Sequence, residues 1–223
     1  MNYLLLILAV LLSFAFVFIV KPKNKNHFKL LLAFSGAFLL SLTVFELLPE
    51  VYEKADAKTV GVFVMLGILL QVFLEFFSKG AEHGHVHIDK AKTDFPILLF
   101  VSLCIHSLLE GFPIERHNRI LYAVLIHKIP IALILSIFLL NSKIKFGQAL
   151  LFVVAFSLMT PLGSYIASHS NFVEIYYVPI TALVIGVFLH ISTIILFESS
   201  EGHQFNLGKI AVIILGIGMA YLL

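Results

Sequence analysis

Apolar runs of about twenty residues recur from one end of the chain to the other, separated only by short polar segments. A run of that length, wound as an α-helix, matches the ~30 Å hydrocarbon core of a bilayer. The runs cover residues 3–20, 28–48, 60–78, 95–113, 118–140, 145–167, 176–198 and 206–223. This spacing predicts an all-α integral membrane protein of eight spans, forming a single transmembrane domain over residues 1–223. Residues 3–20 lack a basic leading segment and a small-residue cleavage signal, so they read as a retained helix rather than a removed signal.

The composition agrees. Hydrophobic residues make up 60% of the 223 and charged residues only 13%, with a mean hydropathy of +1.04. A soluble domain carries about 25% charged residues. The single cysteine, Cys104, excludes an intramolecular disulfide. With no tryptophan in the chain, the interfacial belt must come from Tyr and from 22 Phe. The loops after spans one, three, five and seven hold ten basic residues, and those after spans two, four and six hold four. The positive-inside rule then places both termini outside the cytoplasm. It places residues 79–94 inside, as a loop carrying His83, His85 and His87 at alternate positions. A short His-rich tract of this kind suits metal capture, or is simply a solvated loop.

Ionisable residues inside the apolar runs are the strongest functional signal. His106 and Glu110 stand four apart near the end of span four, which puts them on one helix face. His127 and Lys128 lie in the middle of span five. Glu46, His190 and Glu198 lie nearer span ends. A charged group at mid-membrane costs roughly 2.5–3.5 kcal/mol even on the milder scale, whereas an interhelical hydrogen bond returns only ~0.6–2 kcal/mol. Polar glue is therefore a poor account of His106, Glu110 and His127. An imidazole–carboxylate pair on adjacent turns is half of a divalent-metal site. Lys128 cannot ligate while protonated and needs a carboxylate partner, either Glu110 or Glu46.

These segments resemble those of the ZIP (Zrt/Irt-like) divalent-metal transporters. H-S-L-L-E-G at 106–111 is similar to the family motif H-N-x-x-E-G on span four. H-K-I-P at 127–130 is similar to H-x-x-P on span five, and F-E-L-L-P-E at 45–50 to the end of span two. M-T-P-L-G at 159–163 and V-F-L-H-I-S-T-I-I-L-F-E at 187–198 resemble the segments on spans six and seven. The resemblance implies the ZIP bundle of eight helices with both termini extracytoplasmic. It implies His106, Glu110 and His127 as ligands of a transported ion, with Ser107, Glu46 or water completing the shell.

It also shows what this chain lacks. Ser107 stands where the family often has Asn. Lys128 occupies a second-metal position that is acidic in two-metal members. Ile131 replaces a bridging Glu, and Thr160 a span-six Glu. The second site is thereby dismantled, with Lys128 in its place. His83, His85, His87 and His190 remain as secondary contacts.

The function expected from this reading is movement of a divalent transition metal into the cytoplasm by alternating access, across a cell (inner or plasma) membrane. N and O donors suit Zn²⁺ first, with Fe²⁺ or Mn²⁺ as alternatives. The metal is cargo, and no cofactor is expected. The bilayer is the other partner, a homodimer is compatible with the resemblance, and nothing points to nucleic acid. No G-x-x-x-x-G-K-[ST] motif suggests ATP drive. A non-transporting metal binder or sensor is the main rival. A metallohydrolase is the weaker one, since no H-E-x-x-H is present.

Overall fold

The computed structural model describes residues 2–22, 26–78, 95–198 and 207–223. Within them, every regular element is helical. In order these are α1 (Asn2–Val20), α2 (Asn26–Leu42), a π-helical turn (Thr43–Leu47), α3 (Leu48–Lys54) and α4 (Ala57–Ser78). There follow α5 (Ile97–Gly111), a 3₁₀ turn (Phe112–Glu115), α6 (Asn118–Asn141) and α7 (Phe146–His169). The short α8 (Asn171–Ile175), α9 (Tyr177–Glu198) and α10 (Leu207–Leu222) complete the chain. The loop carrying His83, His85 and His87 lies outside the described residues, as does the side chain of Glu198.

Seven of the spans expected from the sequence are helices long and apolar enough to cross a membrane, α2 and α3 counting as one through the π turn. The eighth, α10, is apolar but has 16 residues. At 1.5 Å per residue it is about 24 Å long, short of the ~30 Å core. Two prolines shape the helices that carry the polar residues. Pro130 does not interrupt its helix: α6 runs unbroken from Asn118 to Asn141 with the proline inside. The ring still removes one backbone donor, which costs the Ile126 carbonyl its usual partner. α5 ends at Gly111, just past Glu110, and the chain passes into the 3₁₀ turn, where Pro113 falls in the first turn and no N–H is needed.

In lipid a helix must satisfy every backbone group internally. Most hydroxyls in the spans follow the same rule by bonding back onto their own helix. Ser13 donates to the Ala9 carbonyl at 2.6 Å, Ser41 to Ala37 at 2.8 Å and Ser102 to Leu98 at 2.9 Å. Outside the apolar runs, Asp56 caps α4 by accepting the Thr59 amide at 3.0 Å. Its bonds to the Thr59 hydroxyl and amide hold the carboxyl below its usual range. That support is present at neutral pH and is lost as acid protonates the group.

Buried polar residues lie among the apolar core, and large apolar side chains cover the outside. Val62, Met65, Leu69, Val72, Phe73 and Phe76 of α4 face outward, while Gln71 on the same helix is buried. The most enclosed spans are α2–α3 and α6, each 61% buried, against 22% for α4. α6 packs on α1 and α2, α5 on α7, α4 on α9, and α10 on α2. Leu109, beside Glu110, touches both apolar clusters of the core, so α5 carries its polar residues into the centre.

Two helix pairs meet through glycine. A Cβ on Gly163 of α7 would lie 2.0 Å from the Leu108 carbonyl oxygen of α5. One on Gly67 of α4 would lie 1.9 Å from the Leu183 oxygen of α9, with Gly186 opposite. Small residues let backbones approach in a medium where the hydrophobic effect does not drive helices together. Gly163→Ala is therefore expected to lower stability in detergent by about 1–3 kcal/mol through overpacking. Gly147→Ala, with open space around its Cβ, should leave the melting temperature unchanged or slightly raised. Thermal melts of the two variants side by side test the contact.

Candidate metal centre

The spacing of His106 and Glu110 places them one above the other on α5. The structure puts His106 Nε2 3.1 Å from Glu110 Oε1. α6 brings His127 to the same oxygen, its Nε2 3.9 Å away. One ligand atom from each of the three lies within 4.8 Å of the others, and all three residues are buried. Glu110 is wholly inaccessible. A bare carboxylate there would be prohibitively expensive, so its surroundings must supply positive charge or protons.

Lys128 supplies it. Its ammonium lies 2.8 Å from Glu110 Oε2, which answers the question the sequence left open between Glu110 and Glu46. The two carboxylate oxygens are thereby divided: Oε1 faces the imidazoles, Oε2 faces the lysine. Lys128 also donates to Ser107 Oγ at 2.6 Å and sits over the Phe156 ring, 4.7 Å from its centroid. Thr160 of α7 donates its hydroxyl proton to the Ser107 carbonyl at 2.8 Å. Its oxygen then accepts from the Ser107 hydroxyl at 3.0 Å. These two hydroxyls bond across helices, unlike those of Ser13, Ser41 and Ser102. Ser107 thus belongs first to the lysine's network, and any role for it as a ligand has to share that oxygen with the ammonium.

A fourth helix orients the site. His106 Nδ1 is 3.3 Å from Oε1 of Gln71 on α4. An amide oxygen only accepts, so Nδ1 is the donor in this contact, and Nε2 is the nitrogen turned toward Glu110. Metal-binding histidines are commonly fixed in this way by an outer partner. The sequence reading missed Gln71, although a lone amide in the run G-I-L-L-Q-V-F-L was visible as the one polar side chain of its stretch.

Other expected contacts lie elsewhere. Glu46 sits in the π-helical turn and pairs with Arg119 at 2.8 Å, outside the buried cluster. Beside it, Glu50 binds His117 at 2.7 Å and accepts from Tyr177 at 3.2 Å. These contacts tie together the segments after spans two, four and six at one end of the bundle. His190 pairs with Glu75 at 2.7 Å, joining α9 to α4.

Residues 81–223, which include the whole cluster, match the family model described as ZIP Zinc transporter. The chain belongs to the ZIP family. The zinc transporter ZIP1 of Danio rerio is 38% identical over 93 residues, covering 38% of this chain. Protein zntD of Dictyostelium discoideum is 30% identical over 167 residues, covering 64% of this chain. The matches span 30% and 24% of those proteins' own lengths.

If Gln71 sets the tautomer, ¹⁵N NMR of labelled protein should show the His106 ring protonated at Nδ1. Gln71→Leu should convert it to a mixture of tautomers. An unchanged spectrum in the variant would remove Gln71 from the account.

Proposed function

We infer that this ZIP-family protein carries a divalent transition-metal cation, Zn²⁺ first, across a cell membrane by alternating access. The observation that carries the reading is the convergence of two imidazoles and a carboxylate in the interior of an apolar bundle. Both the family model and the Danio relative are described as zinc transporters, which favours zinc. His106 Nε2, His127 and Glu110 Oε1 are the proposed ligands, with water completing a four-coordinate shell suited to Zn²⁺ at about 2.0–2.2 Å. Fe²⁺ and Mn²⁺ fit the same donors less selectively.

The site works by exchange. A hydrated ion gives up water for imidazole and carboxylate, whose lone pairs the fold already holds together. Because Lys128 neutralises Glu110, the ion arrives at a pocket of zero net charge rather than at an anion. That lowers affinity, which a carrier needs in order to release its cargo. Lys128 fills the position of a second ion, so one metal is moved at a time. The bias of basic residues puts both termini outside the cytoplasm, and the family resemblance implies movement of the ion inward. The protein acts as a carrier and not an enzyme, and a homodimer is compatible with this reading.

One contact favours a second reading. The Lys128–Glu110 pair occupies half of the only carboxylate in the cluster, as expected of a metal binder or sensor that does not transport. Two experiments separate the readings. In vesicles of known orientation, His106→Ala or Glu110→Ala should abolish Zn²⁺ uptake while the protein stays folded in detergent. Full activity in both variants would exclude the site. Lys128→Asp with Ile131→Glu restores acidity where two-metal members have it. A gain in flux is expected of a transporter with a reduced site, whereas binding without flux before and after the change would establish the sensor.

A further inference from the structure

The C-terminal ends of α1 and α6 and the first turn of α7 line a cavity of about 690 Å³. It lies at the level of the helix ends, where spans leave the hydrocarbon for the headgroups. Its size falls within the ~300–1,000 Å³ of small-ligand sites. The walls are apolar, with Phe18 from α1, Leu140 from α6 and Phe146 from α7. The Phe18 and Phe146 rings stand 5.3 Å apart, centroid to centroid, and each residue is half exposed. The polar side chains on the lining are Lys21 and Asn141.

Charge around this cavity has one sign. Between α1 and α2 the chain reads K-P-K-N-K-N-H-F-K, and between α6 and α7 it reads S-K-I-K, with no acidic residue in either. Lys143 and Lys145 are exposed and flank Ile144, which lines the cavity. Among the described residues, no ion pair takes in Lys21, Lys143 or Lys145. The segments after spans two and four differ, since there Lys54, His117 and Arg119 pair with Glu50 or Glu46. The cations at the cavity are thus left to be answered from outside the chain.

Lys21 carries a second signal. Its φ is +48°, the one positive value at a non-glycine position among the described residues. Its amide donates to the Val17 carbonyl at 3.0 Å and closes α1. Gly or Asn takes that left-handed backbone at little cost, whereas lysine does not. Strain held at a non-glycine residue points to a use for its side chain, and this side chain lines the cavity.

We propose that the cavity is a binding site for one anionic phospholipid. Lys21, Lys143 and Lys145 meet the phosphate, and an acyl chain lies along Phe18, Leu140 and Phe146. A basic rim over an apolar slot between spans selects such headgroups. The lipid ties the end of α1 to α6 and α7, and α6 is the helix that carries His127 and Lys128.

The chain has no tryptophan, so one placed beside the cavity is a sole reporter. Phe146→Trp keeps an aromatic ring there, and Phe73→Trp, on the exposed face of α4, reports ordinary bilayer contact. Full-length protein is reconstituted in phosphatidylcholine vesicles with a minor fraction of dibrominated phosphatidylglycerol or, separately, dibrominated phosphatidylcholine, which quenches indole on contact. Phosphatidylglycerol should be favoured about tenfold at Phe146→Trp and by less than about twofold at Phe73→Trp. Lys21→Asn with Lys143→Gln and Lys145→Gln should abolish the preference, asparagine being chosen to suit the left-handed backbone. Lys79→Gln with Lys90→Gln and Lys92→Gln, which removes the same charge from another loop, should keep it. Equal quenching by the two lipids at Phe146→Trp overturns the site. So does an equal preference at Phe73→Trp, or an equal loss in both lysine variants, since either is the general attraction of anionic lipid to a basic membrane surface. Reversal of the quenching by soluble glycerol 3-phosphate would show that a free phosphate is held, and also overturns the lipid site. If Phe146→Trp fails to fold, Phe18→Trp reads the same cavity from α1.

Discussion

The carboxylate of Glu110 is the group around which the interior is arranged. It is wholly buried in a bundle whose outer face is apolar. Its charge must be answered locally, and the answer comes from three directions. α5 itself returns His106 one turn away, and α6 brings both His127 and Lys128. Breaking a buried pair by removing one partner typically costs about 3–5 kcal/mol, so these helices are held in register by electrostatics as well as by packing. The division of Glu110 into an imidazole-facing oxygen and a lysine-facing oxygen makes the site asymmetric. A divalent ion can take one side without displacing the ammonium from the other.

The rest of the bundle serves that arrangement. Thr160 and Ser107 hold α7 against α5 and give Lys128 a hydroxyl acceptor. Gly111 and Gly163 let the same two helices touch at backbone distance, which is what brings those hydroxyls within reach. On the opposite side, α4 supplies Gln71 to one imidazole, while its glycine contact with α9 fixes where that helix lies. The hydroxyls of Ser107 and Thr160 bond across helices, whereas those of Ser13, Ser41 and Ser102 turn back to their own backbones. That contrast sets the hydroxyls around Lys128 apart from those that only satisfy their own helix.

The buried pair of His106 and Glu110 was legible because its spacing is local. Four residues on one helix decide that His106 meets Glu110, and H-K-I-P follows after a short turn. Spans were legible because length and hydropathy survive any packing. The partner of Lys128 was not, since Glu110 and Glu46 both stood on candidate neighbours. Glu46 fell away because the π-helical turn carries it to Arg119 at the end of the bundle. Gln71 and Glu75 were missed for a related reason. A single polar residue in an apolar run could face lipid, water or a neighbour, and periodicity on one helix does not say which. His190 was singled out without its partner, because Glu75 lies 115 positions earlier in the chain.

From the linear order of residues came the membrane-spanning class, the positions of the helices, the family resemblance and the two His motifs. These depend on composition and on separations of a few residues, where helical geometry leaves little choice. Tertiary packing decided which side of Glu110 faces the lysine, which nitrogen of His106 faces Gln71, and that α4 and α9 set a second imidazole beside a carboxylate. Those outcomes depend on rotations and depths of helices relative to one another. Glycine contacts and buried charge fix them only once the helices are side by side.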